Sequence, residues 1–177
     1  KTTAVFTYGA GDELQKSVTT KLQDGTVKVS ETFYLGPQGE EKAQKTYGYN
    51  FDGTTIKTTT VFNYAIGGEL TGSVTTKLQD GTVKKSETFY SGPEGEERAD
   101  KTYNYSFDGL TIKTTTNFTY AATDELLSSV TTKLKDGTVK ISETFYSGPQ
   151  GEEKAQKTYN YNFNGLTIKT TTVFNYA

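Results

Sequence analysis

The chain has no cysteine, histidine, methionine or tryptophan among its 177 residues, and only three prolines. Each absence narrows the chemistry. Without cysteine there is no disulfide, no thiolate nucleophile and no cysteine-based metal site. Without histidine the commonest general base and the commonest transition-metal ligand are both missing. No apolar run approaches the roughly 18 residues of a membrane helix, so no transmembrane segment is expected. Nor is there a secretion signal; a chain opening on Lys1 without methionine reads as a window from a longer repetitive protein, or its processed form. An excess of one charge is lacking too. Nineteen basic and 21 acidic residues give a net charge of −2, which argues against nucleic acid as a partner.

What is present points to strands. Hydrophobic residues make up 32%, well under the usual 45–50% or so. Yet there are 13 tyrosines and 10 phenylalanines, with threonine throughout. Disordered chains are poor in aromatic and β-branched residues, so the composition fits a sheet with one dry and one wet face.

Self-similarity organises the rest. Residues 1–56, 57–112 and 113–168 align without a gap, and 169–177 begins the first strand of a fourth copy. A shorter period lies inside. Asp24-Gly25, Asp52-Gly53, Asp80-Gly81, Asp108-Gly109, Asp136-Gly137 and Asn164-Gly165 recur every 28 residues. Asp-Gly between alternating segments signals a two-residue type I′ hairpin turn, with positive φ at both residues. Each copy then holds two hairpins. In the third copy the strands are expected near 110–121, 125–135, 138–147 and 152–163, and the next near 166–177. Gly36-Pro37-Gln38-Gly39 and its equivalents at 92–95 and 148–151 read as type I turns with proline second. The fold class is therefore all-β: an antiparallel up-and-down meander of about 12–13 strands that curls, spirals or stays a single layer. A propeller is disfavoured, because blades stack on both faces.

Two-residue turns would fix the faces. In the third copy Thr116, Phe118, Val130, Glu143, Phe145, Lys157, Tyr159 and Tyr161 are expected to share the drier face, opposite Lys113, Thr115, Ser142 and Thr158. With a bulge at Gly148–Gly151, Phe145 faces Ala155 and Glu143 faces Lys157. The same arithmetic pairs Glu87 with Lys101 and Glu31 with Lys45. These six residues are expected to act as structural ion pairs that pin register.

Other candidates have plain readings. Glu40, Glu41, Glu96, Glu97, Glu152 and Glu153, with Asp12 and Asp124, form an acidic rim; a solvated rim is favoured over a calcium site, since no segment matches a calcium loop. Tyr47, Tyr49, Tyr103, Tyr105, Tyr159 and Tyr161 form a ladder. They offer a possible binding surface for sugars or proteins, although packing on the shared apolar face is the better reading. Asn104-Tyr105-Ser106 and Asn117-Phe118-Thr119 match the glycosylation acceptor but do not recur in every copy. No catalytic or metal-ligating set is found and no cofactor is expected; a small-molecule ligand is left open.

Phe6-Thr7-Tyr8 to Leu14, Phe62-Asn63-Tyr64 to Leu70 and Phe118-Thr119-Tyr120 to Leu126 resemble the tyrosine-aspartate (YD, Rhs-type) repeat, whose unit reads Tyr, any, Tyr, Asp, two spacers, Gly, any, Leu. Here Phe replaces the first Tyr, and Gly9, Ala65 or Ala121 stands at the Asp. The resemblance implies a large bacterial surface or secreted protein whose strands form a scaffold shell. The Thr, Lys and Glu alternation is also similar to that of the flat single-layer sheets of some spirochaete surface lipoproteins. The expectation is thus a non-catalytic structural segment of an extracellular or cell-surface bacterial protein, such as a fibre, adhesin stalk or shell. It would associate with itself or with further repeats through its edge strands. The alternative is a carbohydrate- or protein-binding module using the tyrosine ladder or the variable loops.

Overall fold

A computed structural model describes residues 1–21 and 25–176. Its thirteen strands are antiparallel and follow one another in up-and-down order, and the described residues contain no helix. Contacts divide the chain into two compact units, Lys1–Glu87 and Thr88–Ala177. Unit 1 holds β1 (Thr2–Tyr8), β2 (Leu14–Lys21), β3 (Val27–Leu35), β4 (Lys42–Tyr49), β5 (Ile56–Tyr64) and β6 (Leu70–Lys77). The boundary falls inside β7 (Lys84–Ser91), not between repeats. Unit 2 holds β8 (Arg98–Tyr105), β9 (Ile112–Tyr120), β10 (Leu126–Lys133), β11 (Lys140–Ser147), β12 (Lys154–Tyr161) and β13 (Ile168–Val173).

Within each unit, among the described residues, a strand packs only on its neighbours in sequence. Each unit is therefore a single layer. Its apolar burial is correspondingly small: Tyr103 is the one buried hydrophobic residue among those described, beside buried Thr20, Glu31, Thr59, Ser73, Thr115 and Thr132. With so little core, cross-strand side-chain pairs carry much of the stabilisation, at about 0.2–1 kcal/mol each. Threonine hydroxyls meet in such pairs: Thr32 with Thr46 at 2.9 Å, Thr60 with Thr75 at 2.8 Å, Thr116 with Thr131 and Thr144 with Thr158 at 2.9 Å.

The five described turns from Asp52-Gly53 to Asn164-Gly165 lie at the expected dipeptides, but they are not two-residue type I′ turns. They fall into two kinds. Between β4 and β5, Gly53 N donates to Asn50 O at 3.0 Å and Asn50 N to Thr55 O at 2.8 Å. Gly53 is left-handed at φ 71°, while Asp52 is absent from the left-handed residues. Gly109 (φ 72°) and Gly165 (φ 73°) repeat this after Asp108 and Asn164. Between β6 and β7, and between β10 and β11, the assignment reverses. Asp80 (φ 47°) and Asp136 (φ 49°) are left-handed there, following left-handed Leu78 and Leu134, while Gly81 and Gly137 are not. Gly25 has φ 69°; its partner Asp24 lies outside the described residues.

The register corrects the expected faces. Tyr105 faces Ile112, as the turn arithmetic requires, but a bulge then sets Asn104 opposite Thr114 and Lys101 opposite Asn117. One extra residue in a strand moves everything beyond it to the other face. Thr115 thus lies opposite Thr132, and Asn117 opposite Val130. They share a face with Glu143 and Tyr159, while Thr116 and Phe118 join Thr131 and Thr144 on the other. The expected split into a dry and a wet face does not hold. The prolines also sit one place earlier than expected: Glu40 N donates to Pro37 O at 3.0 Å, so proline is first in that turn, and Gly39 takes the left-handed third position at φ 84°.

Candidate functional site

The expected ion pairs form with other partners. Phe145 lies opposite Lys157 and Glu143 opposite Tyr159; Phe33 lies opposite Lys45 and Glu31 opposite Tyr47. The turn offsets the register by one residue and a bulge at Gln156 or Gln44 adds another, which keeps the face but separates the charges. Glu31 instead receives Lys16 at 3.2 Å, Lys28 at 3.5 Å and the Tyr49 hydroxyl at 2.7 Å. Glu143 receives Lys140 at 2.9 Å and Tyr161 at 2.8 Å, and Glu87 receives Lys84 at 3.0 Å. Burial pushes the Glu31 carboxyl up, but the Tyr49 and Lys16 hydrogen bonds and the Lys28 charge outweigh it and leave the carboxyl below its usual range. Burial and the Glu31 carboxylate push the Tyr49 hydroxyl up to about 12.

The expected lysines turn elsewhere. Lys45 Nζ donates to Asp80 Oδ1 at 2.7 Å, and Tyr47 OH to Asp80 Oδ2 at 3.0 Å. In unit 2, Lys101 Nζ reaches Asp136 Oδ1 at 2.7 Å and Tyr103 OH reaches Oδ2 at 3.0 Å. Both aspartates belong to the copy after the one that supplies the lysine. Left-handed Leu78 and Asp80 make this reach possible by turning the connection back over β5. There Leu78 N donates to Lys57 O at 2.9 Å. The Thr59 hydroxyl donates to Leu78 O at 2.8 Å and accepts from Asp80 N at 2.9 Å. Thr115 does the same with Leu134 O at 2.8 Å and Asp136 N at 2.9 Å. Thr59 is 1% exposed and Thr115 fully buried. Gly81 and Gly137 are needed for close approach: a Cβ there would overlap Lys77 O or Lys133 O. The Lys45 and Lys101 hydrogen bonds hold the Asp80 and Asp136 carboxyls below their usual range, and the aspartates in turn raise both lysines.

A second link between copies lies along the longer loops. Lys42 Nζ donates to Gly68 O at 2.8 Å, and at the equivalent place Arg98 pairs with Asp124. The tyrosine ladder is therefore largely engaged. Tyr47, Tyr103 and Tyr159 meet Phe33, Phe89 and Phe145 edge to face at 5.6, 5.5 and 5.8 Å. Tyr49 and Tyr161 bond carboxylates, and Tyr105 lies across from Ile112.

On the acidic rim, the second glutamate of a pair caps backbone. Glu41 accepts from Leu14 N at 2.8 Å and Gly39 N at 2.9 Å; Glu153 accepts from Leu126 N at 2.9 Å and Gly151 N at 3.0 Å. The backbone N–H of Leu14 and of Leu126 is the largest influence lowering these carboxyls. Among the described residues no three acidic side chains are grouped to hold a metal ion, and no helix is long and apolar enough to cross a membrane.

Sequence reasoning missed the Lys–Tyr–Asp–Thr clamp. Its signal is Lys-Thr-Tyr followed 35 residues after the lysine by the aspartate of a Leu-x-Asp-Gly turn, in two successive copies. Neither a protein-family model nor a curated protein matches the chain.

Proposed function

We propose that the chain is a non-catalytic structural repeat segment of an extracellular bacterial surface protein, such as a fibre, adhesin stalk or shell. The observation that carries this reading is the clamp between copies. Lys45 of the first copy holds Asp80 of the second, and Lys101 of the second holds Asp136 of the third, each at 2.7 Å. Charged and hydroxyl groups that would otherwise be available for chemistry are committed to joining one copy to the next. An array whose copies stabilise their neighbours suits length and reach. Each 56-residue copy adds four strands, or about 19 Å along the hydrogen-bonding direction at roughly 4.8 Å per strand.

Self-association through edge strands belongs to the same reading. Within their units β1 and β13 each pair with one strand, and Val5, Phe6, Tyr8 and Val173 are exposed on them. Unpaired strand edges template further pairing.

Arrays of two, three and four copies test the proposal by urea melts and small-angle scattering. Stability and length should both rise with each copy. Stability independent of copy number would contradict it. A glycan array decides the other reading: saturable, sugar-specific binding would replace the scaffold with a binding module.

A further inference from the structure

The short-turn connections set large apolar side chains outermost. Phe51 in unit 1 is 91% exposed, and Phe107 and Phe163 in unit 2 are 90% and 91% exposed. Each is the second residue of its turn, and Leu110 and Leu166 stand exposed beside the latter two. Single exposed apolar residues need no explanation. The same aromatic at one apex in three successive copies does, particularly in a chain with so little apolar material.

Cations lie against the rings of Phe51 and Phe163. Lys21 Nζ lies 4.1 Å from the centre of the Phe51 ring, and Lys133 Nζ 3.6 Å from that of Phe163. Behind the apices each unit has a groove. In unit 1 it measures about 540 Å³, with Leu78 and Val83 between Lys57, Lys77 and Lys85. In unit 2 it measures about 570 Å³, with Leu134, Val139 and Phe163 beside Lys113 and Lys133. Neither lining includes a carboxylate. Aspartates of the same turns are already engaged: Asp52 and Asp108 accept the N–H groups of their own turns, and Asp80 and Asp136 are clamped. At the opposite ends of the strands the loops are acidic, with Glu40 and Glu41 in unit 1 and Glu152 and Glu153 in unit 2.

We propose that the short-turn rim of each unit docks onto the surface of an anionic lipid bilayer. Phe51, Phe107 and Phe163 enter the boundary between headgroups and acyl chains, and the lysines face the headgroup anions. The acidic rim turns to water, because an anionic surface repels it. Apolar side chains flanked by lysines are the combination that interfacial anchoring uses, since apolar insertion and electrostatic attraction add. This goes beyond the scaffold reading and does not depend on it.

The test is flotation of the full chain with vesicles of phosphatidylcholine alone or mixed with phosphatidylserine. Binding should require phosphatidylserine and fall about tenfold or more from 0.05 to 0.5 M salt, where the screening length shrinks severalfold. The combined variant Phe51→Ser, Phe107→Ser, Phe163→Ser should weaken it by about tenfold or more. Equal binding to neutral vesicles, or undiminished binding by the triple variant, overturns the proposal. Orientation is read separately, because the chain has no tryptophan. Phe107→Trp should be quenched by brominated lipid, whereas Ile66→Trp, fully exposed on a longer loop, should not; equal quenching overturns the docking edge. Two other occupants also count against it. One is equal affinity for a short-chain phosphatidylserine below its micelle concentration, which assigns the grooves to a free amphiphile. The other is lipid-independent self-association that the triple variant abolishes, which assigns the rim to a second copy.

Discussion

Thr115 and Thr171 occupy the same place in successive copies, yet Thr115 is fully buried and Thr171 is exposed on β13. On one side their neighbours correspond: Thr115 faces Tyr103, and Thr171 faces Tyr159. On the other side Thr115 has β10 and its turn, whereas β13 pairs with β12 alone among the described residues. The Leu134–Gly137 segment folds over Thr115 and brings Asp136 to Lys101 and Tyr103. The Lys157 ammonium lies 5.7 Å from the centre of the Tyr159 ring. The Leu78–Gly81 and Leu134–Gly137 turns each bury a threonine of their own copy and reach a lysine and a tyrosine of the copy before.

Blocking that turn should have the largest effect. Gly137→Ala forces a Cβ into Lys133 O and should cost about 3 kcal/mol in urea melts, at the top of the overpacking range. Gly151→Ala is the comparison. Its Cβ meets nothing within 4 Å, although φ is +81°, so only the left-handed backbone is strained, at about 1 kcal/mol. Equal losses would remove close approach as the reason for the glycine.

Thr115→Val keeps the shape and removes the hydroxyl, leaving Asp136 N and Leu134 O unpaired. A loss of about 1–3 kcal/mol is expected. Thr171→Val should change stability by less than about 0.5 kcal/mol, as surface substitutions do. Matching effects at the two threonines would contradict the comparison.

Glu31→Gln tests whether the half-sheltered carboxylates matter as much as the turns. It weakens the hydrogen bonds from Tyr49, Lys16 and Lys28, and a loss of about 1 kcal/mol is expected by the same melts. A loss as large as that of Gly137→Ala would move the account from turns to ion clusters.

The smallest effect is the pH dependence of the clamp. The folded Asp136 carboxyl lies below its usual value, chiefly through the hydrogen bond from Lys101. Its contribution is therefore present above the unfolded value and lost as the pH falls through the folded one, below about pH 4. Solvent screens the exposed pair, so the difference is modest. Asp136→Asn should be less stable than the unsubstituted chain near neutrality, and the gap should narrow on acidification. A gap that widens in acid contradicts the assigned sign.

The strand count, antiparallel pairing and sequential order were legible because turn dipeptides mark every 28 residues. Register was not. A bulge at the Tyr105 end of β8 and β9 reverses which residues face together, and no residue type announces it. The expected Glu143–Lys157 pair failed by two residues for a similar reason, since a bulge at Gln156 adds to a one-residue offset at the turn. Asp80 and Asp136 were legible as turn residues only. Their reach to Lys45 and Lys101 depends on left-handed Leu78 and Leu134, and leucine is not a residue from which that conformation is inferred.

Amide hydrogen exchange at Asp136 tests the central claim most directly. Its N–H donates to a fully buried threonine hydroxyl at 2.9 Å, so it should exchange far more slowly than the N–H of an exposed turn residue. Thr115→Val should remove that protection while leaving the Asp80 amide protected over Thr59. An Asp136 amide that exchanges as fast as an open turn in the unsubstituted chain would show that the turn does not lie over Thr115 of β9, and the account would fail.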